Sequence, residues 1–405
     1  MQPAQDNSSR FHGLDALRGI SMILGIVLHA ALPYVPDMPI EIWPSDKNSS
    51  DLIGIIFQFI HVWRMPLFFI LAGFFANLVI SKKSWRYWWK NRLLRIALPI
   101  LCFSPLMSIT LPWIFFYGRT EELIFIYSNI GQPWHLWFLW HLLIFVVITV
   151  IFSIPYLFGQ AALRFFEKTG IVFIKLSVHN LKSFFAGILF ESRFPILLIV
   201  VCGIVNIPTW GELIANPVAS GLYFAFGYSL YKNSTLFSFL RDKWVYYLLS
   251  GMAIFSMYTI LILVKSQALG VDIYGDNISI ADQKQLSDLI NLSLYVFKII
   301  CSILIPLGLI GLAERFFNSY NTKLRFVSDG AYWIYLIHLP IVSFITFYLF
   351  KLESVPAEIK FLVAIATTSL ICLATYKCFV RSTLIGLLLN GKKVAFNSKA
   401  VNAPK

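Results

Sequence analysis

The residues of this chain that can do chemistry are few, and they sit where hydropathy disfavours them. In "LDALRGISMILGIVLH" Arg18 and His29 lie eleven residues apart, and "FQFIHVWRMPLFF" carries His61 and Arg64 at i, i+3. That spacing puts both on one face of a helix. "WRYWWKNRLLRIALP" ends with Arg92 and Arg95 at the same spacing, "QPWHLWFLWHLLIF" holds His135, Trp137 and His141, and "DGAYWIYLIHLP" places His338 just before Pro340. A neutral imidazole can act as a general base on a hydroxyl. Guanidinium groups hold phosphates through charge-assisted hydrogen bonds. Together these residue types suit a reaction between a phosphate-bearing donor and a hydroxyl acceptor.

The elements that must position them follow from composition. Of 405 residues, 58% are hydrophobic and 13% charged, and the mean hydropathy is +0.73. Apolar runs long enough to cross a bilayer, roughly 20 residues each, recur along the whole length. The fold class expected is all-α, a polytopic transmembrane bundle of about ten spanning helices. They are drawn at 14–35, 52–80, 93–117, 136–158, 194–208, 213–231, 244–264, 289–313, 330–350 and 358–380. A transmembrane domain over 14–380 is then flanked by cytoplasmic tails, 1–13 and 381–405. The opening stretch reads as a retained first span rather than a cleaved leader, since Asp15 and Arg18 intrude and further spans follow. The stretch 171–190, broken by Lys175, His179, Asn180 and Lys182, reads as interfacial.

Lys and Arg collect in cytoplasmic loops, which tests the count independently. With both termini inside, and Arg18, Arg95, Lys360 and Lys377 near span ends counted with the adjoining loops, 25 of the 33 basic residues fall in inside segments, 6 in outside loops, and Arg64 and Lys298 deeper within spans. The net charge of +13 therefore reflects topology and contact with lipid headgroups, not nucleic-acid binding. The five cysteines lie in or near apolar spans and suggest neither a disulfide framework nor a metal pair. No phosphate-binding glycine loop, HExxH or GxSxG is present.

Depth along the spans sorts the polar residues. Arg18 lies near the cytoplasmic face, and His29 is about 16 Å farther along the helix, in the outer half. His61 and Arg64, on a span running inward, fall at similar depth. Arg18, Arg92 and Arg95 can converge on one cytoplasmic anion site. Each residue alone has a plainer reading: a membrane histidine as an interhelical hydrogen-bonding group, a terminal arginine as a topology signal, Arg64 as a tie between helices. A transporter or flippase for an anionic envelope precursor would also place His and Arg inside the bilayer, although no internal repeat of the kind common in transporters is evident.

"LDALRGISMILGIVLH", with its Arg followed after ten residues by His, resembles the first helix of the integral-membrane acyltransferase 3 family, and Arg92 and Arg95 look like that family's RxxR motif. "FIHVWRMPLFFILAGFFANL", "HLWFL" and "YLIHLPIV" are similar to its branch that succinylates periplasmic glucans. The resemblance runs from residue 11 to about 380. It implies a bacterial inner-membrane enzyme that moves a succinyl or acetyl group from cytoplasmic acyl-CoA to a hydroxyl of an envelope glycan. By that analogy His29 is catalytic and Arg18, Arg92 and Arg95 belong to the donor side. His61 is assigned with His29, as a candidate for its orienting partner. Arg64, His135, Trp137 and His338 are assigned to the substrate or acyl group. The partners implied are acyl-CoA as co-substrate (succinyl-CoA or acetyl-CoA), the glycan and membrane lipids. No permanently bound cofactor or metal is expected, a homodimer stays open, and Lys298 receives no role.

Overall fold

The first helix, α1 (His12–Ala31), is built from Leu, Ile, Met, Ala and Gly with no proline until Pro33, where a short 3-10 turn (Leu32–Tyr34) ends it. No side chain of its own caps its start. Glu314, from a distant helix, supplies the acceptor: its Oε1 takes a hydrogen bond from the Leu14 amide at 3.1 Å. A carboxylate there satisfies an orphan donor and complements the positive end of the helix dipole.

The computed structural model describes residues 11–36, 38–127, 134–149, 151, 194–209, 212–269 and 280–390. Within them the regular elements are helices: α2 (Asp51–Lys82), α3 (Trp85–Thr120), α4 (Trp134–Thr149), α5 (Phe194–Asn206), α6 (Pro217–Lys232), α7 (Ser234–Leu269), α8 (Ile280–Phe316), α9 (Thr322–Leu349), α10 (Ala357–Val380) and a short α11 (Leu384–Asn390). Among the described residues seven helices are long and apolar enough to cross a membrane, and α4, α5 and α6 coincide with the three remaining expected spans. The chain is a multi-pass, all-α membrane protein. The stretch 171–190, the inner end of the fourth expected span, and residues 1–10 and 391–405 of the two tails lie outside the described residues.

Three packing features position the site. Helix α1 is central, touching α2, α8, α9 and α10. Helices α2 and α6 press together at Gly73 and Gly227, where an added Cβ would overlap the Phe224 and Ile70 carbonyls; close backbone approach at small residues is how membrane helices gain van der Waals contact. Leu101 of α3, Leu249 of α7 and Leu370 of α10 stay exposed and face lipid. Finally, the α1–α2 connection is fastened to the α9–α10 turn. Lys360 Nζ meets Asp46 Oδ2 at 2.8 Å with both side chains buried, Ser50 Oγ donates to Glu358 Oε1 at 2.5 Å, and Asn48 Nδ2 donates to the Glu353 carbonyl at 2.8 Å. This anchored loop carries Trp43.

Candidate active site

A cavity of about 500 Å³ opens at one end of the bundle. Arg18, Arg92 and Arg95 all line it, as their depth suggested, and a fourth arginine, Arg325 of α9, joins them. Their states differ. Arg18 pairs with Asp15 at 3.2 Å, reaches the Ser328 carbonyl at 3.4 Å and lies over the Phe75 ring. Arg325 pairs with Asp329 at 3.0 Å. No carboxylate among the described residues pairs with Arg92 or Arg95. These two therefore keep guanidinium donors for an anion.

Local backbone explains how Arg92 and Arg95 reach one cavity. Residues Leu93–Ala97 form a π turn inside α3, the kind of irregularity that recurs at functional sites. The Tyr332 hydroxyl, from α9, donates to the Arg95 carbonyl and satisfies a backbone group that the wider turn displaces. Tyr332 also lines the cavity, with Trp88.

The inner wall of the cavity includes Phe68, Phe138 and Tyr335. Tyr335 is clasped to α4: its hydroxyl donates to the His135 carbonyl at 2.7 Å, and His135 Nε2 donates to the Tyr335 carbonyl at 2.9 Å. His135 in turn belongs to a cluster of imidazoles. Its ring centroid lies 5.2 Å from that of His338, which lies 5.3 Å from that of His29. Trp43 stacks on His29 at 5.9 Å, 20° from parallel. Arg64 reaches the same place through a gap left by Gly25: a Cβ on Gly25 would overlap Arg64 Nη1 and lie 3.7 Å from His338 Nε2. Arg64 has no carboxylate partner among the described residues; its Nε is buried and unbonded, and its Nη2 lies 4.0 Å from Met65 Sδ.

The structure thus gathers His29, Arg64, His135 and His338 and sets other expected residues apart. His61 Nε2 lies 2.7 Å from Glu212 Oε1, which Lys298 Nζ also meets at 2.9 Å. No bond or ring contact among the described residues joins His61 to His29. Burial pushes the Glu212 carboxyl up, but His61 and Lys298 prevail and hold it well below the usual carboxylate range. Trp137 packs on Phe69 and His141, and His141 Nδ1 lies 3.0 Å from Ser220 Oγ. Sequence reasoning missed Arg325, Glu212, Trp43 and Tyr335. Arg325 sits with Lys323 in the first turn of its helix and was open to the same depth argument. The others carried no comparable signal.

Residues 11–377 match a family profile described as an acyltransferase domain. The chain belongs to the acyltransferase 3 family. The histidine and arginine motifs therefore sit in an acyl-transferring domain that spans nearly the whole described fold. The chain is 32% identical to glucans biosynthesis protein C of Escherichia coli K12 over 161 residues, 37% of this chain and 38% of that protein's length. It is 23% identical to glucans biosynthesis protein C of Salmonella typhi over 395 residues, 95% of each chain. The Salmonella typhimurium protein matches to the same extent. No solved structure matches the chain.

Proposed function

We propose that this acyltransferase moves an acyl group, succinyl foremost, from cytoplasmic acyl-CoA to a hydroxyl of a cell-envelope glycan, within the inner membrane of a bacterium. The observation that carries this reading is the arginine cavity whose inner wall, Tyr335, is bonded to the imidazole cluster. An anion site and a base site lie end to end inside one bundle. The names of the relatives supply the glucan connection.

In this reading Arg92 and Arg95, with Arg18 and Arg325 beside them, hold the phosphates of CoA at the cytoplasmic mouth. The pantetheine arm runs inward past Tyr335 and brings the thioester to His29. The acceptor hydroxyl approaches from the opposite end, where the anchored loop sets Trp43 over His29. Neutral His29 takes the hydroxyl proton as the oxygen attacks the thioester carbonyl. The C–S bond breaks and the departing thiolate of CoA takes up that proton. Arg64, a guanidinium with no carboxylate of its own, pairs with the terminal carboxylate of a succinyl group. Acyl-CoA is a co-substrate, and the reading assigns no permanent cofactor.

The test uses purified protein in nanodiscs, succinyl-CoA labelled in the succinyl group, and a linear β-glucan. Covalent label on the glucan, abolished in a folded His29→Ala variant, is the expected result. Label that never leaves CoA while an anionic precursor crosses proteoliposomes would replace the enzyme with a transporter.

A further inference from the structure

His29 has no orienting partner of the usual kind. Asp15 is on the same helix but at its other end, paired with Arg18. Glu212 is held by His61 and Lys298. Among the described residues no carboxylate pairs with His29. Its neighbour from another helix is an imidazole, His338.

The protonation pattern of that neighbour can be read from its bonds. His338 Nδ1 lies 2.9 Å from the carbonyl oxygens of Ile334 and Tyr335. A carbonyl oxygen only accepts, so Nδ1 carries the proton, and in the neutral ring Nε2 is a bare lone pair. That nitrogen is buried without a hydrogen-bond partner. It faces α1, because a Cβ on Gly25, one turn before His29, would lie 3.7 Å from it. His135 cannot supply its hydrogen: the proton of neutral His135 is committed at Nε2 to the Tyr335 carbonyl, 2.9 Å away. On the other side of the pair, His29 Nδ1 is also buried and unbonded. A buried acceptor and a buried potential donor thus lie in adjacent rings, and each is costly to leave unmade.

We propose that His338 is the positioning residue for His29: in the loaded enzyme the His29 Nδ1–H donates to His338 Nε2, which fixes His29 Nε2 as the lone pair that takes the acceptor proton. This rests on the acyl-transfer reading above. His338 keeps its own proton throughout. When His29 becomes an imidazolium, its Nδ1–H stays on His338 and the new proton at Nε2 passes to the thiolate of CoA. The acceptor O–H and the thioester C–S bonds break, and the ester C–O and the S–H bonds form. The two carbonyls at Ile334 and Tyr335 hold the acceptor in place as the charge comes and goes. The arrangement does for His29 what a carboxylate does in a serine-protease triad, with a neutral group that adds no charge near a succinyl carboxylate.

Two substitutions separate positioning from other roles. His338→Leu keeps bulk and removes the acceptor. His338→Gln offers a side-chain oxygen at similar reach but cannot titrate. Expected for the Leu variant is a fall in kcat of about 10²-fold, the lower end of a general base's contribution, with KM for succinyl-CoA within about twofold of wild type by the same uniform-binding criterion. The Gln variant should recover much of that kcat. Equal loss in both variants, or wild-type kcat in the Leu variant, overturns the proposal. A second readout needs no turnover: ¹⁵N spectra of histidine-labelled protein bound to a non-transferable thioether analogue of succinyl-CoA, with His338 assigned by its loss in the Gln variant. His338 should show a protonated Nδ1 and an unprotonated Nε2, and the Nε2 resonance should move in His29→Ala as its donor is lost. The opposite tautomer, or an unmoved resonance, overturns the proposal even if the wild type transfers no acyl group, which is the separate failure of the function.

Discussion

Replacing Arg64 with Gln asks whether the guanidinium reads the acyl group or only joins helices. Its Nε is buried and unbonded, its Nη2 lies 4.0 Å from the Met65 thioether sulfur, and no carboxylate among the described residues pairs with it. A helix tie would be bonded to the helix it ties. In the proposed reaction the succinyl carboxylate is the partner of Arg64, and breaking a buried pair by removing one member costs about 3–5 kcal/mol. At about 1.4 kcal/mol per decade, the lower bound is a loss of roughly 10²-fold in kcat/KM for succinyl-CoA. Acetyl-CoA has no carboxylate to strand, so its kcat/KM should stay within about tenfold, the size of one ordinary hydrogen bond at this rate scale. The assay is steady-state transfer of each acyl group to the same glucan by monodisperse protein. Equal losses for both donors would refute carboxylate recognition.

Arg92→Lys keeps the positive charge but removes the planar fork; acyl-CoA binding by isothermal titration should weaken by about tenfold, one charge-assisted bond, while cysteine-accessibility mapping finds the topology unchanged. Gly25→Ala places a methyl where Arg64 Nη1 now lies. The guanidinium is the free end of a flexible side chain, so the variant should fold with a Tm near wild type yet lose succinyl transfer preferentially, as Arg64→Gln does. Asp46→Asn leaves the Lys360 ammonium, now fully buried against it, without its counter-ion; the cost is about 3–5 kcal/mol, read as a lower unfolding temperature in detergent.

Much of the bundle is legible in the sequence because the bilayer leaves few options for backbone polar groups. The span drawn at 52–80 is the helix Asp51–Lys82, and that at 358–380 is Ala357–Val380. The span at 244–264 starts just after a kink: Ser234–Leu269 has non-helical backbone angles at Lys243, so the residues before it form a separate helical segment that hydropathy does not mark. Depth also brought Arg18, Arg92 and Arg95 together correctly. Depth carries no azimuth, however. His61 and His29 sit at comparable levels, yet the helix turns His61 toward Glu212. The π turn at Leu93–Ala97 depends on a hydroxyl from Tyr332, more than 200 residues away, so no local pattern announces it. Trp43 lies in a connection whose shape is set by Lys360 and Glu358 from the far end of the chain.

The clasp between Tyr335 and His135 has a consequence for the cell as well as for the reaction. A passage wide enough for a pantetheine arm is wide enough for water and hydronium, and a bilayer that leaks protons cannot hold its electrochemical gradient. Phe68, Phe138 and Tyr335 line the cavity with aromatic bulk, and the two hydrogen bonds of the clasp join Tyr335 to the histidines. In the proposed cycle the pantetheine arm that displaces these rings fills the space they leave, so one passage serves the donor and still excludes water.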